Sequence, residues 1–434
     1  MDKFAEIRVP ISHKNPSIRR KENKCVLCGK CKDVCAKQVG VAGYWKYKDE
    51  NIVCVNCGQC ANFCPVGAIV EQDNSNDLLS FIQDPNKKVA VIVAPAVRVS
   101  LGEMFGLPVG EFVAGKMVSA IKTLGVDYVF DVSFGADLTV MEEANELVEN
   151  LTTSGRKPIF SSCCPAWVQF VKSFYPQFVP NLSSCKSPIA MLSSVIKNWF
   201  AKNKNINPTN LAVVAITPCV AKKIEANLLC LRGTYGKDTD CVLTVRELGR
   251  LLKNKGVDFA SLQNSCFDKP FDVSSVDGTK FGASGGVLQA VVNTAYQMMT
   301  NIKPPKDLVA FKPVKGVDGV NFAEVKIQDK LLKVCAVSGL KNTRKLLDKL
   351  KKFDFDFVEV MACPNGCVGG GGQPKNEDIL KADNLRGESL NNFNASQFEN
   401  CFENENISGL YQQFLIAPGS EKAQGYLHVN HCAR

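Results

Sequence analysis

Two short cysteine runs constrain this chain more than anything else in it. Residues 25–35 read CVLCGKCKDVC and residues 54–65 read CVNCGQCANFCP. Each is a C-x2-C-x2-C-x3-C run. Three closely spaced thiolates wrap three corners of an iron–sulfur cubane, and the fourth cysteine is aimed at the other cluster. The spacing therefore assigns Cys25, Cys28, Cys31 and Cys64 to one 4Fe–4S cluster, and Cys54, Cys57, Cys60 and Cys35 to a second. Zinc is the competing metal, but it favours separated C-x2-C pairs that close a tetrahedron, which a duplicated four-cysteine run fits poorly. Ala36 stands where proline usually follows the first run, whereas Pro65 follows the second.

These residues resemble a bacterial-type ferredoxin, which by itself says only that electrons pass through. The rest of the 434 residues must say where they go, and the length suggests two to four domains. Cysteine is abundant, at 20 residues, but the start of the chain has no apolar signal-peptide core and no run of about 18 apolar residues occurs. A reducing compartment and metal ligation are expected rather than disulfides. The expected location is the cytoplasm, with a hydrogenosome or related anaerobic organelle as the alternative. Only three histidines are present, His13, His428 and His431, all near the ends, which argues against an imidazole metal site or a Ser–His triad. The net charge of +9 comes with no nucleic-acid motif. A lysine-rich solubilising surface accounts for it, and a basic docking face for an acidic electron carrier is the functional alternative.

The polar stretch Asp73–Lys88 reads as a linker, which places a ferredoxin-like α+β domain at 1–85. Beyond it, apolar runs alternate with helix-like stretches, the mark of α/β architecture. Strands are expected at Val89–Val93, Tyr128–Val132, Pro158–Phe160, Leu211–Ile216, Leu332–Val337 and Phe355–Val360. Helices are expected at Val113–Leu124, Met141–Leu151, Ala190–Lys202, Val245–Lys253, Val287–Met299 and Thr343–Lys352. The main domain runs over 86–385. A tail, 386–434, wraps the surface with one helix near Ile407–Leu415.

Three further segments carry cysteine: SSCCPAW (Ser161–Trp167), TPCVAKKIE (Thr217–Glu225) and EVMACPNGCVGGGGQP (Glu359–Pro374). Each follows the carboxyl end of an expected strand, where open α/β sheets place ligands. Together they offer Cys163, Cys164, Cys219, Cys363 and Cys367. Four thiolates complete a cubane and one is left over. Adjacent cysteines point in different directions, so one of the Cys163–Cys164 pair is a free thiol beside the cluster. A positive metal centre would draw its pKa from about 8.5 toward neutrality. Gly369–Gly372 permit close backbone approach and unusual φ values.

In this order, behind a ferredoxin module, these segments resemble the three signature motifs of the iron-only (FeFe) hydrogenases. Further blocks agree: APAVR (Ala94–Arg98), DLTVMEEANEL (Asp137–Leu147), NLSSCKSP (Asn181–Pro188), LTVRELGRLL (Leu243–Leu252), FGASGGV (Phe281–Val287) and YLHVNH (Tyr426–His431). The resemblance implies a two-lobed α/β catalytic domain. It also implies an H-cluster, a cubane joined to a two-iron unit with carbonyl, cyanide and azadithiolate ligands. Carried over by motif, Cys164, Cys219, Cys363 and Cys367 ligate the cubane, with Cys367 bridging to the two-iron unit. Cys163 relays protons, and Lys222 pairs with a cyanide. Pro95, Pro218 and Met361 line the two-iron pocket, flanked by Ala94. The outward relay runs Cys163, Glu143, Ser183, Glu146. Glu143 and Glu146 lie three apart on a helix; without the resemblance they read as a solvated face beside the apolar stripe Met141, Ala144, Leu147, Val148 and Leu151.

Three departures stand out. Thr217 replaces the usual Met of the second motif, Ile189 replaces a common Gln, and Asn150 stands where an Arg often ends the proton route. The implied activity is reversible proton reduction to dihydrogen with electrons from ferredoxin. Expected partners are ferredoxin or a similar acidic carrier and the maturation proteins that build the two-iron unit, with a monomeric chain. Two rivals are an iron–sulfur assembly protein of hydrogenase-like sequence and a redox or hydrogen sensor. Retention of both adjacent cysteines and all eight ferredoxin cysteines favours the enzyme; a sensor usually carries an added signalling domain. Cys185, Cys230, Cys241, Cys266, Cys335, Cys401 and Cys432 lack ligand spacing and read as buried small apolar residues.

Overall fold

The computed structural model describes residues 4, 6–43, 53–153, 157–314, 319–349, 354–394 and 396–431. The N-terminal part is small. Strands β1 (Ile18–Arg20) and β2 (Ile69–Glu71) pair antiparallel, Ile18 opposite Glu71. The two cysteine runs lie between them: Cys31 and Cys35 are on the helix Lys30–Lys37, Cys60 is on the helix Gln59–Asn62, and the other cysteines are on the flanking loops. The runs share one backbone shape. Leu27 and Asn56 have φ of 54° and 59°, and Gly29 and Gly58 have φ of 77° and 74°. The glycines take the left-handed conformation at little steric cost, so each loop folds back around its thiols.

The remainder is built on two sheets. The first has four parallel strands in the order β4-β3-β6-β7: β3 (Lys88–Val93), β4 (Tyr128–Asp131), β6 (Leu211–Thr217) and β7 (Cys241–Thr244). The sequences KVAVIV and LAVVAIT are apolar without alternation because helices cover both faces; all of β6 is buried. The second sheet contains β5 (Ile159–Phe160), β8 (Val320–Ile327), β9 (Lys330–Ser338) and β10 (Phe357–Met361). Its order is β8-β9-β10-β5, extended beyond β8 by Lys312–Pro313; β8 pairs antiparallel with β9 and the inner pairs are parallel. The α/β expectation holds, and the signature segments fall past strand ends of two sheets rather than one.

The helix Val132–Thr152 joins the lobes. It starts directly after β4, where the Asp131 carboxylate accepts from the Ser133 N–H. Phe134 and Leu138 pack with Phe130, Met191 and Leu192 on the first-sheet side. Ala136, Val140, Ala144, Leu147 and Leu151 pack with Val325, Leu332 and Val334 of the second sheet. The expected start at Met141 was nine residues late, because Ser133, Thr139 and Asp137 hid the pattern by being buried as polar residues.

Other corrections concern polar segments. The stretch read as a linker contains the helix Ser75–Gln83, whose Leu78 is fully buried. The tail does not merely wrap the surface: Leu390, Cys401, Ile407, Leu410, Leu415 and Leu427 are core residues. Strands β7 and β8 were not foreseen. The helix expected at 190–202 begins at Pro188 and passes into a π-helical turn at Ile196–Phe200. The last residues of the expected helix Thr343–Lys352, from 350 onward, lie outside the described residues; its described part is Leu340–Asp348.

Candidate active site

β5 ends at Phe160, β6 at Thr217 and β10 at Met361, so the three cysteine segments begin where the strands stop. With the end of β3 they close around one apolar cavity. Its walls include Ala94, Pro95, Pro218 and Met361, together with Cys163, Cys164, Cys219, Lys222, Cys367, Ile189 and Thr217. Cys363 lies just behind, its thiol coupled electrostatically to those of Cys219 and Cys164. The glycine run makes the closure possible. A Cβ on Gly370 would stand 2.4 Å from the Pro218 carbonyl oxygen, and one on Gly371 would stand 2.3 Å from that of Cys57. Close approach is thus the reason for these glycines. Unusual φ is not: in this loop it falls on Asn365 and Gly366 instead.

Burial and mutual repulsion push the thiols of Cys219, Cys363 and Cys367 up, that of Cys219 to about 12. Burial chiefly raises Cys164 as well. Sulfurs packed this way resist becoming thiolates on their own. A cationic iron centre is what would stabilise them, and the donor set suits a cubane. Burial, then the Glu143 charge, also raises Cys163. The surroundings supplied by the protein therefore oppose the expected drift toward neutrality and keep this thiol protonated.

Glu143 is fully buried, not solvated. Burial and the neighbouring Glu146 charge push its carboxyl up to about 8. The Ser161 and Ser183 hydroxyls and the Ser162 N–H lie close enough to ease its ionisation, yet neither oxygen makes a well-formed hydrogen bond. Ser161 Oγ sits 3.5 Å from Cys163 Sγ. It stands near both the thiol and Glu143, a placement not foreseen from the motifs although Ser161 stands inside one. Ser183 Oγ accepts from the Cys185 N–H at 3.1 Å and faces both glutamates. Burial opposes ionisation of Glu146, but the His428 ring 3.7 Å away, the Ser184 bonds and the nearby Ser183 hydroxyl hold its carboxyl below the usual range.

The Lys222 ammonium is buried at the cavity wall. It donates to the Cys163 carbonyl at 3.1 Å and pairs with Glu225 at 2.8 Å.

In the N-terminal part, the thiols of Cys35, Cys54, Cys57 and Cys60 lie close enough to repel one another, and Cys31 couples to Cys64 but also to Cys35 and Cys60. The two runs are thus brought together in one region. Cys28 is exposed, whereas Cys60 is buried and Cys35, Cys54 and Cys57 are half-buried. Two residues that spacing did not suggest bind the modules together. The Gln59 amide donates to Cys363 Sγ at 3.3 Å and to the Gly369 carbonyl at 2.8 Å. Arg246 pairs with Glu71 at 2.8 Å and donates to the carbonyls of Gly371 and Gln373. Although burial opposes it, Arg246 and Arg250 hold the Glu71 carboxyl down at about 2.

Of the cysteines without ligand spacing, Cys185, Cys241, Cys335 and Cys401 are buried as expected, Cys230 is half-buried and Cys266 is exposed. Cys432 lies outside the described residues.

Residues 87–371 match the family model for the iron only hydrogenase large subunit, C-terminal domain. The chain belongs to the iron-only hydrogenase family. Residues 382–434, the tail, match the iron hydrogenase small subunit. The NADP-reducing hydrogenase subunit HndD of Solidesulfovibrio fructosivorans is 37% identical over 96% of this chain and 75% of its own length. The solved apo [FeFe]-hydrogenase from Chlamydomonas reinhardtii superposes with a TM-score of 0.75 at 33% identity, covering 82% of this chain and 98% of that one. The cytosolic Fe-S cluster assembly factor narfl of Xenopus tropicalis is 30% identical over 88% of this chain and 83% of its own. Among the described residues, no helix is long and apolar enough to cross a membrane.

Proposed function

We propose that this hydrogenase-family chain catalyses reversible reduction of protons to dihydrogen, drawing electrons from ferredoxin or a similar acidic carrier. The observation that carries the reading is the fifth sulfur. Cys163 lines the same cavity as Cys164, Cys219 and Cys367, and a buried carboxyl lies behind it. A site that only stored a cluster has no need of that thiol and acid.

Cys164, Cys219, Cys363 and Cys367 would hold the cubane of the H-cluster, Cys367 also bridging to the two-iron unit. The Cys25, Cys28, Cys31, Cys64 set and the Cys35, Cys54, Cys57, Cys60 set would hold two further 4Fe–4S clusters. When bound, the two-iron unit supplies the making and breaking of the hydrogen–hydrogen bond. The chain does the rest. Ala94, Pro95, Pro218, Met361 and Ile189 keep the cavity apolar. Lys222, pinned by Glu225, presents fixed positive charge to an anionic ligand such as cyanide. Cys163 Sγ holds a proton that passes by Ser161 to Glu143, and by Ser183 to Glu146.

Electrons would arrive at the exposed Cys28 end, where Lys21, Lys24 and Lys30 are also exposed and suit an acidic carrier. They would move inward by the Cys57 group, which lies against Cys363.

The assembly-factor relative supports a second reading, cluster handling without turnover. Infrared spectra of protein matured anaerobically with the maturation proteins separate the two. Carbonyl and cyanide bands together with dihydrogen turnover are expected; their absence in fully iron-loaded protein would sink the enzyme reading.

A further inference from the structure

The relay proposed above needs an outer end, and Asn150 is spoken for. Its amide donates to the Lys157 carbonyl at 2.9 Å and its carbonyl accepts from the Lys157 N–H at 3.4 Å, so both ends of the amide are engaged by the Lys157 backbone. A different side chain reaches Glu146. Ser184 bonds the Glu146 carboxylate through its hydroxyl and, at 3.0 Å, through its N–H. The same hydroxyl lies 2.6 Å from Nδ1 of His428, and Nε2 of that ring lies 2.9 Å from Glu142. Glu146, Ser184 and His428 all line an open groove of about 530 Å³.

Resting on the relay reading, we propose that the proton route of this chain meets solvent at His428, brought by the C-terminal tail, with Ser184 as the bridge to Glu146. Inward, the Nδ1–H bond breaks as Ser184 Oγ takes that proton and passes its own to the Glu146 carboxylate; an acid in the groove then reprotonates the ring. Outward, the same bonds form and break in reverse. His428 is a positioning residue as well, because its ring holds Glu146 ionised. Glu142 and Glu146 face it from the long helix. Cys185 and Tyr411 lie behind, and Glu149 and His431 share the groove. Burial works against charge on His428, but Glu142 and Glu146 lift it to about 9, so it enters neutral pH as a cation.

The test uses the matured, iron-loaded protein. In His428→Gln, iron content and the carbonyl and cyanide bands are expected to stay, while turnover falls about tenfold or more with the KM for the electron donor unchanged. In the resting enzyme, the pH midpoint of the Glu146 carboxyl infrared band should rise, because the stabilising cation is gone. Imidazole added to His428→Gly should restore turnover, and Asn150→Ala should stay within about twofold of the parent. Unchanged turnover and an unmoved carboxyl midpoint in His428→Gln would overturn the proposal. If the His428 variants fail to load iron, Ser184→Ala takes their place, with the same loss expected and an unaltered rate refuting. A parent enzyme without turnover counts against the hydrogenase reading alone, since the carboxyl midpoint still judges this one.

Discussion

The Gln59 amide of the N-terminal module donates to Cys363 Sγ at 3.3 Å, across 304 residues of chain. Hydrogen bonds to cluster sulfurs stabilise the reduced, more negative state. Gln59→Leu removes the bond at similar volume. A net hydrogen bond of about 1 kcal/mol corresponds to roughly 40 mV for one electron. The potential of the proposed H-cluster cubane should therefore become more negative by that order in a redox titration followed by electron paramagnetic resonance. That of the cluster proposed for Cys25, Cys28, Cys31 and Cys64 should not move.

Cys163→Ala separates holding the cofactor from using it. The four proposed cubane ligands are untouched, so iron content and the carbonyl and cyanide bands should survive. The first link of the relay is lost, and dihydrogen evolution should fall by about 100-fold or more. Retained turnover would refute the assignment of Cys163.

Glu143→Gln should show the same split, with an added signature in stability. Burial raises this carboxyl to about 8, so between about 4.5 and 8 the folded chain binds a proton that the unfolded chain has released. Stability from this group is complete below the unfolded pKa and is lost as pH rises through 8. Glutamine stays neutral throughout. The variant should melt higher than the parent at pH 9 and match it near pH 5, with a ceiling of roughly 5 kcal/mol on the difference. Thermal melts across pH check it; parallel profiles would mean Glu143 is ionised in the fold.

Arg246→Met removes one of the two arginines paired with Glu71, a buried carboxylate, and the donor to two carbonyls of the glycine loop; Arg250 stays paired with Glu71 at 2.8 Å. Breaking a buried pair from one side costs about 3–5 kcal/mol, and the remaining arginine holds the loss below that range. The expected result is earlier proteolysis between the N-terminal module and the catalytic part, and slower reduction of the buried cubane by external donor. Replacing Glu71 and Arg246 together by apolar residues should recover much of the stability.

What was legible in the chain were the short-range patterns. Two cysteine runs suggest their ligand groupings because a cubane corner accepts thiolates only at certain spacings, and that expectation can be read before any folding. Continuous apolar runs announced β3 and β6 for a similar reason, since a strand covered on both faces has no polar side to show. The polar residues were misleading. Ser75–Gln83 reads as linker and Ser133–Val140 as non-helical, because a sequence shows polarity but not whether a neighbour satisfies it. Only tertiary packing decided that Glu143 is buried, that the tail enters the core, and that His428 and Gln59 reach Glu146 and Cys363. Those contacts join residues hundreds of positions apart. Their existence depends on how two sheets and one long helix pack, and no local pattern encodes that.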